Sequence, residues 1–108
     1  MKNTLTGNKY IMDVDVLKTE LYFESDDSMV FTIIDGGSLQ KKGYSERVET
    51  VIAEIRPKVY MVAWKETSGA TVTHVEDHEN GIIYSNATLP DGSFYKMKGT
   101  IHLLQIKS

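Results

Sequence analysis

Two stretches of this chain carry groups that can move protons or hold a ligand. The first is Trp64-Lys65-Glu66, which ends an alternating run from Val59 to Glu66. If the run is a strand, Tyr60, Val62, Trp64 and Glu66 share one face, and Met61, Ala63 and Lys65 the other. The large aromatic side chains argue that the first face points inward. A carboxylate at the end of that face, beside an indole, loses solvation. Desolvation raises a carboxyl pKa toward the range of a general acid or base. The blander alternative is that the strand ends before Glu66 and the carboxylate is solvated, as most glutamates are.

The second stretch is His74, Glu76 and His78, at i, i+2 and i+4. On a strand all three share a face, and imidazoles with a carboxylate at that spacing can serve a metal. Asn80-Gly81 follows closely, which puts His78 and Glu79 in a turn. The outward face of a barrel strand has the same pattern, so no metal and no cofactor is assigned. Thr71, Thr73, Val75 and Asp77 form the opposite face. Across the next turn Tyr84, Asn86 and Thr88 share a face. Polar groups alternating with Ile and Val can line a cavity and hydrogen-bond a ligand. They can equally pair across strands on the solvent side.

The elements that must position these groups have a period of two. Lys18 to Ser25, Ser28 to Asp35, Arg47 to Ile55, Val59 to Glu66, Ala70 to Asp77, Ile82 to Leu89 and the long closing run from Ser93 all read as strands. Helix is the rival for Arg47 to Ile55, since Glu and Ala favour it. Asp26-Asp27, Pro57, Ser68-Gly69, Asn80-Gly81 and Pro90-Asp91-Gly92 mark turns, and Gly99 a kink. Seven or eight short strands joined by hairpin turns predict an all-β, antiparallel, up-and-down barrel. A barrel of about eight strands can hold one small ligand. Met12, Met61 and Met97 read as core filler.

Composition narrows the function classes. The chain has 108 residues, the size of one domain spanning 1–108, and 41% are hydrophobic. It has no cysteine, which removes disulfides, thiolate metal sites and a cysteine nucleophile. Net charge is −3, and the sole basic cluster is Lys41-Lys42. Nucleic acid and membrane are therefore not expected as partners. No apolar run has the length of a signal peptide or a membrane span, so a cytoplasmic location is expected. Gly36-Gly37 lacks the spacing and the following helix of a phosphate loop.

The run from Ile55 to Ile101 closely resembles the MoaF-like family, named for molybdenum cofactor biosynthesis protein F. The resemblance rests on Pro57, Val59-Tyr60, Val62, Trp64 and Glu66, then Thr71-Val72, His74-Val75-Glu76-Asp77, Asn80-Gly81, Leu89-Pro90-Asp91-Gly92 and Lys98-Gly99-Thr100. It implies a calycin-like, lipocalin-like barrel and brings no reaction with it. The hairpin is also similar, more distantly, to phenolic acid decarboxylases, through Tyr60, Val62, Trp64, Glu66, Gly69 and Val72. That similarity implies that Glu66 points inward as an acid. The arginine that accompanies such a glutamate falls at Gly43 here, with Arg47 the nearest arginine, and Tyr10 is a loose match to the substrate-holding tyrosines.

Together these readings predict a barrel that binds a small aromatic or flat organic molecule. Tyr60 and Trp64 would supply stacking surface, and Glu66, Thr71, Thr73, Tyr84 and Asn86 the polar contacts. The alternative is a lyase, decarboxylase or isomerase with Glu66 as its catalytic acid. A third reading, a homodimeric interaction module, predicts a filled barrel and an apolar outer face.

Overall fold

The computed structural model describes residues 4–38 and 40–105. Eight strands occupy most of them: β1 Lys9–Val14, β2 Leu17–Ser25, β3 Ser28–Asp35, β4 Ser45–Arg56, β5 Val59–Lys65, β6 Thr71–Asp77, β7 Ile82–Thr88 and β8 Phe94–Gln105. Each pairs antiparallel with its neighbour, and β1 pairs with β8, so the sheet closes. Among the described residues, closure leaves no unpaired sheet edge.

Arg47 to Ile55 is strand, not helix. Its partners explain this: β4 pairs with β3 and β5, and Val48 and Thr50 are buried while Val51 faces solvent. Sheet pairing overrides the modest helix preference of Glu and Ala. β1 is the eighth strand, and its alternation runs Tyr10, Met12 and Val14 inward. Gly99 sits where β8 passes β1. A Cβ there would lie 1.9 Å from the Asp13 carbonyl oxygen, so only glycine allows this approach.

The two ends of the barrel differ. At one end the segment before β1 folds over the opening. Leu5 is buried in the core, Gly7 N–H donates to the Phe23 carbonyl, and the Thr4 and Tyr60 hydroxyls lie 2.6 Å apart. Tyr10 packs edge-on against Phe23 and tilts against His78. This end is plugged. At the other end sit the β1–β2, β3–β4, β5–β6 and β7–β8 connections, and the core there is incomplete. Outside, the wall exposes Val51, Ile55, Met61 and Tyr84.

Candidate functional site

Trp64 and Glu66 are set by the β5–β6 hairpin. Strand pairing carries Trp64 inward opposite Val72. Beyond Lys65 the chain turns: Gly69 N–H donates to the Glu66 carbonyl, and Glu66 N–H donates to the Ala70 carbonyl. Gly69 has φ 98°, a left-handed conformation that glycine adopts without penalty. Glu46 on β4 ties the turn down by accepting bonds from the Thr67 amide and hydroxyl. These constraints hold the Glu66 carboxylate at the barrel mouth, where it accepts a bond from Trp64 Nε1 at 3.3 Å. Burial raises the Glu66 pKa, and the nearby Glu46 charge adds to this. The Trp64 bond and His74 pull the other way without reversing it.

Beneath Glu66 is a cavity of about 110 Å³. Met12, Leu21, Phe31, Ile33 and Met97 give it apolar walls, with Trp64 stacked 6.2 Å from Phe31 on one side. Gln40, Leu89 and Tyr95 stand at its rim. Four polar side chains interrupt the walls: Thr19, Glu66, His74 and Ser85. Thr19 is 2% exposed, and among the described residues its hydroxyl has no hydrogen-bond partner. Such an orphan is destabilising, and native structures seldom keep one. Thr19 lies on β2 and His74 on β6, four strands apart in the ring of eight, so they face each other across the cavity.

Behind His74 is a carboxylate with no solvent contact. Glu76 is 0% exposed. Its Oε2 lies 3.0 Å from His74 Nδ1, and its Oε1 3.0 Å from His78 Nε2. Burial works against ionisation here. The two imidazole bonds and their charge outweigh it, so the Glu76 pKa is lowered. His78 has left the strand, as the nearby Asn80-Gly81 turn predicts, yet its ring folds back against Tyr10 and Tyr60. The three side chains do not gather round one point. Among the described residues no three His, Cys, Asp or Glu side chains form a metal-ligating group.

The MoaF-like family model matches residues 6–102. This chain belongs to the MoaF-like family. No curated protein sequence matches it. The fold is similar to a crystal structure from Burkholderia vietnamiensis described as a "putative beta-lactamase", with TM-score 0.89 and 23% identity over 96% of this chain and 99% of that one. At that identity the likeness shows the shared fold.

Within this MoaF-like barrel the expected residues separate into two groups. Trp64 and Glu66 line the cavity. Tyr60 points inward but lies at the plugged end, bonded to Thr4 and outside the cavity. Thr71, Thr73, Tyr84 and Asn86 are corrected: none lines the cavity, and Thr71, Tyr84 and Asn86 are exposed. The reason is parity. Directly paired residues share a side of the sheet, and the inward set runs from Trp64 to Val72 to Ala87, and from Val62 to His74 to Ser85. The face judged outward, with His74 and Glu76, is the inner one. Thr19 and Ser85 were missed, although each falls in step with inward apolar neighbours, Leu21 for Thr19 and Ile83 for Ser85.

The arginine and tyrosine partners of the decarboxylase pattern do not line the cavity. Arg47 points outward and pairs with Glu24 at 2.7 Å, holding that carboxyl at a pKa of about 2. Tyr10 belongs to the plugged end, where Asn8 donates to its hydroxyl. Among the described residues no lysine or arginine lines the cavity.

Proposed function

We propose that this MoaF-like barrel binds a small, flat organic molecule in the cavity beneath Glu66. One observation carries the reading: a cavity of about 110 Å³ whose apolar wall holds an orphaned Thr19 hydroxyl. An apolar protein cavity of about 150 Å³ takes up benzene, so the size suits one ring or a short branched chain. Apolar walls with a few placed polar groups are the usual make-up of such sites. Phe31 and Trp64 offer ring surface, and a ligand hydroxyl or carbonyl would satisfy Thr19. Native mass spectrometry of the purified protein tests this. A retained mass of single-ring size, lost when Trp64 and Thr19 are both replaced, supports the proposal. A bare chain that also takes up no added phenol or toluene would count against it.

A second reading is favoured by Glu66 itself. Its burial beside Trp64 keeps a proton on the carboxyl to higher pH than usual, as a general acid needs. Without a cation on the described cavity wall to hold a substrate carboxylate, an isomerisation fits this site better than a decarboxylation. Glu66→Gln should then abolish turnover and leave the fold intact.

A further inference from the structure

We propose that His74, oriented by Glu76, is the base of a cofactor-free proton transfer in the cavity, with Glu66 as its acid. The substrate class is a small carbonyl compound with an acidic C–H beside the carbonyl. This deepens the second reading above and rests on it.

The geometry is a ring with one nitrogen occupied and the other available. His74 Nδ1 faces Glu76, so in the neutral ring Nδ1 carries the proton and Nε2 the lone pair. Among the described residues Nε2 has no hydrogen-bond partner, and the ring lines the cavity. Glu76 is wholly buried and does not line the cavity, so it cannot touch a ligand. It is a positioning residue. His78 holds its second oxygen, which stops the carboxylate from rotating away. A carboxylate behind an imidazole fixes the tautomer and stabilises the imidazolium that forms during proton abstraction.

Trp64 places the acid beside the base. Its indole N–H donates to Glu66, and its ring meets His74 edge-on with centroids 4.8 Å apart. The cross-strand partners of His74 are Val62 and Ser85, neither of which titrates. Glu66, Glu76 and, through Glu76, His78 are the ionisable groups around the ring.

The step balances without a cofactor. The α C–H bond breaks and its proton goes to His74 Nε2. The C–H electron pair forms the C=C bond of an enol. The C=O π pair goes to oxygen, which takes the Glu66 proton. Where the substrate carries a β,γ C=C bond the enol is a dienol. The hydroxyl proton then returns to Glu66, the C=O bond re-forms, the double bonds shift into conjugation and the γ-carbon takes the proton from His74, which completes an isomerisation. Return to the same carbon in heavy water exchanges the α-hydrogen for deuterium.

That exchange is the test, with cyclohexanone as the probe and proton NMR in heavy water as the readout. The wild-type protein should exchange the α-hydrogens faster than buffer alone. His74→Gln should lose the acceleration by about 100-fold or more, the usual range for a positioned base. Glu76→Gln should lower kcat with KM unchanged, because it touches no ligand. Circular dichroism confirms that each variant is folded, and if His74→Gln is not, the kcat-against-KM split in Glu76→Gln stands as the test. Acceleration kept in His74→Gln, or a change confined to KM in Glu76→Gln, overturns the inference. If acceleration is lost in Glu66→Gln but kept in His74→Gln, Glu66 acts alone and the second reading survives. No acceleration by the wild type overturns both.

Discussion

Replacing Glu76 tests how the buried imidazole–carboxylate cluster supports the barrel. Glu76→Gln keeps the shape and removes the charge. The native side chain accepts bonds from His74 Nδ1 and His78 Nε2, each at 3.0 Å, with no solvent contact. A hydrogen bond to a charged group contributes about 1.5–3 kcal/mol, and a neutral one about 0.5–1.5. Each bond therefore loses roughly 1 kcal/mol on neutralisation, and two lose about 2 kcal/mol. In a domain near this size each kcal/mol moves Tm by about 4–8 °C, so Tm should fall by roughly 8–16 °C. Thermal unfolding followed by circular dichroism at pH 7 and pH 4 is the assay. The folded pKa of Glu76 is lowered, so its contribution is complete above the ordinary carboxyl value and is lost as pH falls through the folded value. The gap between wild type and Glu76→Gln should thus be largest near neutrality and shrink in acid. An unchanged Tm at pH 7, or a gap that widens on acidification, would refute this reasoning.

Other substitutions probe the remaining parts. Thr19→Val removes an orphaned buried hydroxyl, worth about 1–3 kcal/mol of penalty, so Tm should rise in the ligand-free protein while affinity for phenol falls. Glu66→Gln should stabilise the protein at pH 7. The folded pKa of Glu66 is raised, so wild-type stability declines as pH rises from the ordinary carboxyl value through the folded one, and urea unfolding at pH 4 should show the gap closing. Leu5→Ala opens the plugged end and should cost about 2–5 kcal/mol, read from urea unfolding. Gly99→Ala drives a methyl group into the Asp13 backbone and should cost about 1–3 kcal/mol or more, with a matching loss of Tm.

Much of the barrel is legible in the sequence because hairpin turns and period-two alternation are local. Asp26-Asp27, Pro57, Asn80-Gly81 and Pro90-Asp91-Gly92 all fall at strand ends, and the inward face of β5 follows from Tyr60, Val62 and Trp64. The faces of β6 and β7 are not local. On β6, threonine and valine alternate with valine, histidine and glutamate, so neither face reads as apolar. The choice comes from register: Trp64 pairs with Val72, and this one pairing fixes the inner side of both strands. A charged group such as Glu76 at the centre of a core contradicts the usual rule that glutamate is exposed. It is accommodated because two imidazoles from its own strand and the following turn satisfy it. β1 is less legible for a related reason. Its six residues include an exposed Asp13, and its place is fixed by pairing with β8, at the far end of the sequence.

The most direct test of ligand binding in the barrel uses the single tryptophan. Trp64 supplies the chain's only indole N–H, which bonds Glu66 at the cavity mouth. Its proton–nitrogen NMR signal should therefore report occupancy of the cavity alone. Titration with phenol should move that signal along a saturable curve, and Thr19→Val should weaken the curve. An indole signal that stays fixed while amides of the outer wall, at Val51 and Met61, shift instead would contradict a ligand site inside the barrel.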